Sequence, residues 1–308
     1  MSGAPTQSDP APALLRAMPL VFVLIWSTGF IVARYGMPWA PPLKFLALRY
    51  ALSILCFLPW IMWSRVRWPS NRSQWLHLAV TGMLMHAGYL GGVWAAVKAG
   101  MGSGLSSLIV GIQPILTAIW LSTISAAGGS RQTAVNARQW MGLILGFFGL
   151  VLVVSRKFVH GTTGDDVNAI NLALILLALL SITAGTLYQK RFVTPCDVRT
   201  ANTVQLTAAL LVTLPLALLE TEPVVWNGQL AGSMAWSVIG LTLGGSSLLY
   251  LLIQRGAASS VASLMYLVPP CTALLAWLLF GEPVTLATIA GTALTAVGVS
   301  LVIRSAQR

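Results

Sequence analysis

Inside the apolar stretch SSLIVGIQPILTAIW, residues 106–120, stand a glutamine and a proline, Gln113 and Pro114. Proline within a helix removes one backbone hydrogen bond and frees the carbonyl four residues back, here that of Val110. A second apolar run carries Pro269 and Pro270, which do the same for Met265 and Tyr266. Freed carbonyls in a water-accessible cavity accept hydrogen bonds from a ligand amine. In a dry interface the same prolines only kink the helices so that they pack, and neighbours re-satisfy the carbonyls. Gln113 likewise has two readings, one as a ligand-reading side chain and one as a hydrogen-bonded link between helices.

Other residues able to recognise a ligand lie at similar depth in apolar runs: Trp26, Ser27 and Thr28, His86 and Tyr89, Ser181 and Thr183, Ser246 and Ser247, and Tyr266. Rings with a polar handle, such as Trp26, Tyr89, Trp94, Tyr188, Tyr250 and Tyr266, suit a pocket for a flat or apolar side chain. The candidate binding set is Trp26, Ser27, His86, Tyr89, Trp94, Gln113, Pro114, Tyr188, Tyr250, Tyr266 and Pro270. Small residues cluster beside them, in Gly88-Tyr89-Leu90-Gly91-Gly92 and Gly244-Gly245-Ser246-Ser247. Close approach of two helices explains those glycines without a ligand.

Two ionisable groups stand apart. Arg49 sits about two turns into an apolar run, where a charge at the bilayer centre costs about 2.5–3.5 kcal/mol on insertion scales. Its stem is expected to snorkel to the surface beside Lys44, with carboxylate binding or gating as the functional alternative. His86 is the intramembrane group whose ordinary pKa lies near neutrality. A neutral packing role is expected for it, with proton carriage as the alternative.

The chemistry that is missing narrows the field. All seven acids fall in connections or at helix ends, so no apolar run carries a carboxylate relay of the kind used for proton or sodium coupling. No phosphate-binding loop, nucleophile elbow or zinc signature occurs, and His77, His86 and His160 lack metal-ligand spacing. Cys56, Cys196 and Cys271 form neither a disulfide framework nor a metal site. The expectation is a protein without enzyme chemistry, metal or cofactor.

The elements that must position these residues are membrane helices. Of 308 residues 56% are hydrophobic and 8% charged, with a mean hydropathy of +0.81. A soluble domain carries about 25% charged residues. The net charge of +11 does not point to nucleic acid, because no basic cluster exceeds two or three residues. The apolar runs predict an all-α integral membrane protein with ten transmembrane helices, near 17–35, 42–63, 75–97, 102–124, 138–155, 169–190, 200–219, 232–254, 259–279 and 284–303. Residues 1–12 read as a disordered cytoplasmic tail. With both termini inside, the cytoplasmic connections hold 12 Lys and Arg against two acids, and the outer ones five against five. That bias predicts cytoplasmic termini in a cell inner membrane. The expected partners are the lipid bilayer and a small-molecule substrate, with the chain acting as a monomer.

Sliding the sequence against itself by 156 residues places Pro114 on Pro270, Ser103 on Ser259, Ser107 on Ser263, Gly88 on Gly244, Trp94 on Tyr250 and Gly29 on Gly185. Later in each half the shift is 149, and Gly142 and Gly149 meet Gly291 and Gly298. This predicts a duplication into five-helix halves, 13–158 and 169–308. Five is odd, so the second half enters the membrane upside down, and such inverted repeats mark secondary transporters with a midplane site.

Three stretches carry a resemblance. LIWSTGFIVARYGMPWAPPLKFLALRYALS, at 24–53, combines an aromatic-Gly helix, a proline turn and the Arg49-Tyr50 pair. GLSSLIVGIQPILTAIW and SSVASLMYLVPPCTALLAWLLFGEPVTLATIAGTALTAVGVSLV contain the proline-bearing helices and a Gly281-Glu282-Pro283 turn. Across almost the whole chain these resemble the drug/metabolite transporter superfamily, and its EamA-type branch in particular. The resemblance implies alternating access around a cavity lined by helices one, three, four, six, eight and nine. It implies export of amino acids or other small metabolites, with broad-specificity export of lipophilic drugs as the alternative. The aromatic set fits the YddG-like amino-acid exporters, although LLSITAGTLYQKRF lacks the tryptophan often found after the alanines of helix six.

Overall fold

Asparagines start three of the helices. The Asn71 side chain accepts from the Gln74 amide at 2.7 Å, and Asn227 accepts from the Leu230 amide at 2.8 Å. Asn168 and Asn171 cap each other reciprocally. Each cap satisfies a donor that the first helical turn leaves without an intrahelical partner.

The computed structural model describes residues 13–64, 66–113, 115–117, 119–120, 137–160, 167–245, 248 and 267–306. The helices are α1 (Ala13–Gly36), α2 (Pro42–Trp63), α3 (Arg72–Lys98), α4 (Ser103–Val110), α5 (Ala137–His160), α6 (Ala169–Phe192), α7 (Val198–Leu219), α8 (Gly228–Ala235), α9 (Val268–Phe280) and α10 (Leu286–Ala306). Among the described residues there is no strand. A π-helical turn interrupts α3 at Met83–Gly88, and α8 runs on as a π-helix over Trp236–Gly245. The expected tail, 1–12, lies outside the described residues.

The surface identifies the surroundings. Helices α2, α3, α6 and α7 are long and apolar enough to cross a membrane, and Leu20–Gly36, Ser103–Thr117, Trp140–Gly149, Val268–Phe280 and Leu286–Gly298 are shorter apolar stretches. Leu176, Leu177 and Leu180 of α6 and Leu211, Leu218 and Leu219 of α7 are exposed, whereas Ser27, Ser53, Thr81, Thr213 and Ser237 are buried. Large apolar side chains outside and small polar ones between helices suit a lipid solvent. The chain is a multi-pass membrane protein.

Connections meet at two opposite ends. At one, Val225 donates its amide to the Trp39 carbonyl (2.8 Å), Lys98 Nζ reaches Glu222 (2.6 Å), and Asn171 Nδ2 reaches the Ala99 carbonyl (3.1 Å). There Glu220 also caps α2 through the Leu43 and Lys44 amides, and Glu282 caps α4 through Ser103 and Gly104. At the other, Gln74 donates to the Thr194 carbonyl (2.8 Å) and Thr200 to that of Arg67 (3.1 Å). The second end carries Arg67, Arg72, Lys190, Arg191 and Arg199.

Local features recur at the 156-residue spacing. Asn71 and Asn227 are both caps, Pro59 and Pro215 both sit inside long helices, and the π turn at 83–88 falls on 239–244. Contacts recur too: Gly185 lies against Met85, and its counterpart Gly29 lies against Leu241, the counterpart of Met85. Among the described residues, α5 and α10 pack the most extensively of the helix pairs. At their crossing Gly149 abuts the Gly291 backbone while Gly298 abuts that of Gly142 and Gly146.

Candidate functional site

The π turn and the π segment border one cavity between them. Helix α1 contributes Trp26, Gly29 and Phe30, and α2 contributes Arg49. Met85, His86, Tyr89, Leu90, Val93 and Trp94 come from α3, Ile182 from α6, and Leu241 and Thr242 from the π segment. The wall is mostly apolar and aromatic, with a few polar groups able to fix orientation, which is the make-up of a small-molecule site. π turns widen a helix by one residue and are frequent at functional sites.

Helix α2 ties both π elements together. Tyr50 donates its hydroxyl to the His86 carbonyl at 2.8 Å, inside the turn of α3. Its neighbour Arg49 reaches the other way, with Nε and Nη2 at 3.3 and 3.2 Å from Thr242 Oγ1. The Thr242 hydroxyl itself donates to the Ser237 carbonyl at 2.9 Å. Arg49 is only 7% exposed. The expectation that it snorkels to the surface is therefore corrected: a hydroxyl within reach and an open cavity beside it hold the guanidinium inside. Gln205 stands beside the His86 ring.

Four residues of the candidate set, Trp26, His86, Tyr89 and Trp94, come together at this cavity. Trp94 is also stacked on Phe45 with ring centroids 4.3 Å apart, which fixes its plane. The others stand elsewhere. Ser27 donates to the Val23 carbonyl of its own helix at 2.7 Å. Gln113 donates to Thr186 Oγ1 at 3.0 Å and so joins α6 to the chain beyond α4. Tyr188 shares a 2.9 Å hydrogen bond with His77 toward the basic end. Pro270 borders an apolar groove with Leu274, Trp277 and Ile289, away from the cavity. Pro114, Tyr250 and Tyr266 lie outside the described residues, as do Ser246 and Ser247.

The expected breaks before the prolines take particular forms. Helix α4 stops at Val110, Gly111 and Ile112 make a turn, and helical backbone resumes at 113. Helix α9 starts at Val268, so Pro269 and Pro270 occupy its first turn, where no intrahelical donor is needed. The two places touch, because a Cβ on Gly111 would lie 2.9 Å from Pro269 Cγ.

Sequence reasoning missed Phe30, Met85, Leu241 and Thr242 as lining residues. The repeat hinted at Met85 and Leu241, which share a position in the two halves. Nothing local to Thr242 marks it. Among the described residues no cluster of His, Cys, Asp or Glu fits a metal ion. In the loop at the basic end, burial pushes the Cys196 thiol up, which disfavours the thiolate.

A helical membrane protein enclosing an aromatic-lined cavity is the class that the geometry defines. Residues 17–155 and 169–304 each match the EamA-like transporter family, and the chain belongs to that family. It is 26% identical over 257 residues to the uncharacterized inner membrane transporter YedA of Escherichia coli (strain K12), covering 82% of this chain and 78% of that one. A probable amino-acid metabolite efflux pump of the same organism is 25% identical over 174 residues, covering 56% of this chain and 52% of its own length. One solved protein structure, 18% identical, superposes with a TM-score of 0.63 over 97% of this chain and 99% of its own, a likeness of fold alone.

Proposed function

We propose that this chain is a secondary transporter of the inner membrane that exports small neutral metabolites by alternating access. Amino acids come first, with aromatic or bulky apolar ones favoured. Two inverted five-helix halves, 13–158 and 169–308, span the membrane ten times in all, and the transporter works as a monomer. The observation that carries this reading is the aromatic cavity bounded by π elements at equivalent positions of the two halves. Trp26, Tyr89 and Trp94 hold the flat or apolar part of the substrate, and His86 offers a polar contact.

The crossed glycine contacts of α5 with α10 support the inverted arrangement, since a twofold relation maps Gly149–Gly291 onto Gly298–Gly142. The double family match supports it as well. The printed name of the efflux pump agrees with amino-acid export. The basic end faces the cytoplasm by the usual charge bias, which puts both termini inside. With no carboxylate in any span, transport runs by facilitated exchange, with His86 as the one titratable route for a proton.

Uptake and counterflow of radiolabelled threonine, methionine, phenylalanine and tryptophan into proteoliposomes, with and without a pH gradient, tests the reading. Saturable exchange that ignores the gradient and collapses in Tyr89→Ala is expected. Absence of exchange for every amino acid refutes the substrate assignment.

A further inference from the structure

We infer that Arg49 reads the carboxylate of the substrate, and that the carboxylate, rather than the amine, is the group recognition requires. This rests on the proposal that the cavity is the substrate site, and it names the chemistry recognised there.

The guanidinium carries five N–H donors and stays charged in proteins. Among the described residues its hydrogen-bond partner is one neutral hydroxyl, Thr242 Oγ1, approached by both Nε and Nη2. That leaves the Nη1 donors, and one on Nη2, beside a cavity that Arg49 itself lines. Buried charges are normally paired, and each acid among the described residues is committed elsewhere. Asp197 pairs with Arg199, Glu222 with Lys98, and Glu282 with Arg34 and two helix amides. Glu220 caps α2, and Asp9, Asp165 and Asp166 lie outside every apolar run.

No helix can therefore supply the counter-charge, and a bound solute can. A carboxylate matches the guanidinium fork with two parallel hydrogen bonds. One cation in a mostly apolar and aromatic chamber fits a carboxylate carried on an apolar body. The converse holds for an ammonium group. No anionic side chain borders the cavity among the described residues, so an amine meets only neutral acceptors.

The test is competition against radiolabelled phenylalanine counterflow in proteoliposomes of the full chain. One competitor, 3-phenylpropionate, lacks the amine, and the other, phenylalaninamide, lacks the carboxylate. In parallel, 3-phenylpropionate is titrated into detergent-solubilised protein and followed by tryptophan fluorescence, because Trp26 and Trp94 line the cavity. The acid should compete about as well as phenylalanine. The amide should be weaker by on the order of tenfold to a hundredfold, the range of a charge-assisted hydrogen bond. Arg49→Gln should lose 3-phenylpropionate binding by a similar factor, and Arg49→Lys should retain part of it.

An amide that competes as well as phenylalanine overturns the inference and leaves amino-acid transport standing. So does an acid that fails to compete, which would make the amine essential. If no amino acid exchanges yet 3-phenylpropionate binds through Arg49, the amino-acid reading falls and the inference stands. If neither exchange nor binding occurs, both fall. The two analogues decide the matter on the unmodified protein even if Arg49→Gln does not fold.

Discussion

Alanine at Gly149 should force α5 and α10 apart. A Cβ there would lie 2.5 Å from the Gly291 carbonyl oxygen, 2.7 Å from Thr295 Oγ1 and 2.9 Å from the Thr295 amide nitrogen. Two of the three are backbone atoms, which cannot swing aside as a side chain would. Relief requires the helices to separate by roughly an ångström along their most extensive contact, and overpacking of that kind costs about 1–3 kcal/mol. Helix propensity works the other way, favouring alanine over glycine by about 1 kcal/mol. The net effect at Gly149 is therefore a loss of about 0–2 kcal/mol. Gly232 supplies the control, because it is exposed on α8 and a Cβ there meets nothing within 4 Å. Gly232→Ala should gain up to the propensity difference, so the gap between the two variants isolates the steric cost. Thermal unfolding in detergent, followed by tryptophan fluorescence, reads it directly. Gly298→Ala should behave like Gly149→Ala, and the double variant should cost less than the sum, since one separation relieves both clashes. Equal stability of Gly149→Ala and Gly232→Ala would refute the close crossing.

Three further outcomes follow from named contacts. Glu282→Ala should cost about 3 kcal/mol in the same unfolding assay, because two amides of the α4 N-terminus lose a charged acceptor that is 6% exposed, while Glu282→Gln should lose roughly half as much. Tyr50→Phe should cost about 1 kcal/mol by removing the donor to the His86 carbonyl, with counterflow slowed because that carbonyl belongs to the π turn lining the cavity. Gln113→Ala should cost about 0.6 kcal/mol, the average of an interhelical hydrogen bond in a membrane, and should leave counterflow near the wild-type rate; collapse of exchange would make Gln113 a substrate contact instead.

Some glycines were a readable part of the architecture. A residue without a side chain is needed wherever backbones touch, so the cluster at Gly88–Gly92 pointed to a close helix approach, and there Gly88 meets Ser181 and Gly92 the Leu174 carbonyl. Trp26, His86, Tyr89 and Trp94 were legible for a related reason: polar-tipped rings deep in apolar runs need a partner or a ligand. The choice between the two readings of Gln113, and the contact of Tyr188, were not legible, because their partners Thr186 and His77 stand 73 and 111 residues away. Both π elements also escaped, since Met83–Gly88 and Trp236–Gly245 read as ordinary apolar helix with small residues.

Composition determined that this chain lives in a membrane and is built largely of helices, while the internal shift predicted that its halves correspond. Those properties are set by transfer free energy and by close approach, both of which act residue by residue. The tertiary structure decided which of the plausible groups share a chamber. Arg49 lies within snorkelling distance of the surface in sequence terms, yet Thr242, 193 residues later, holds it at the cavity wall. Whether a charge turns toward water or toward a solute depends on what the neighbouring helix offers, and only packing brings that neighbour into place.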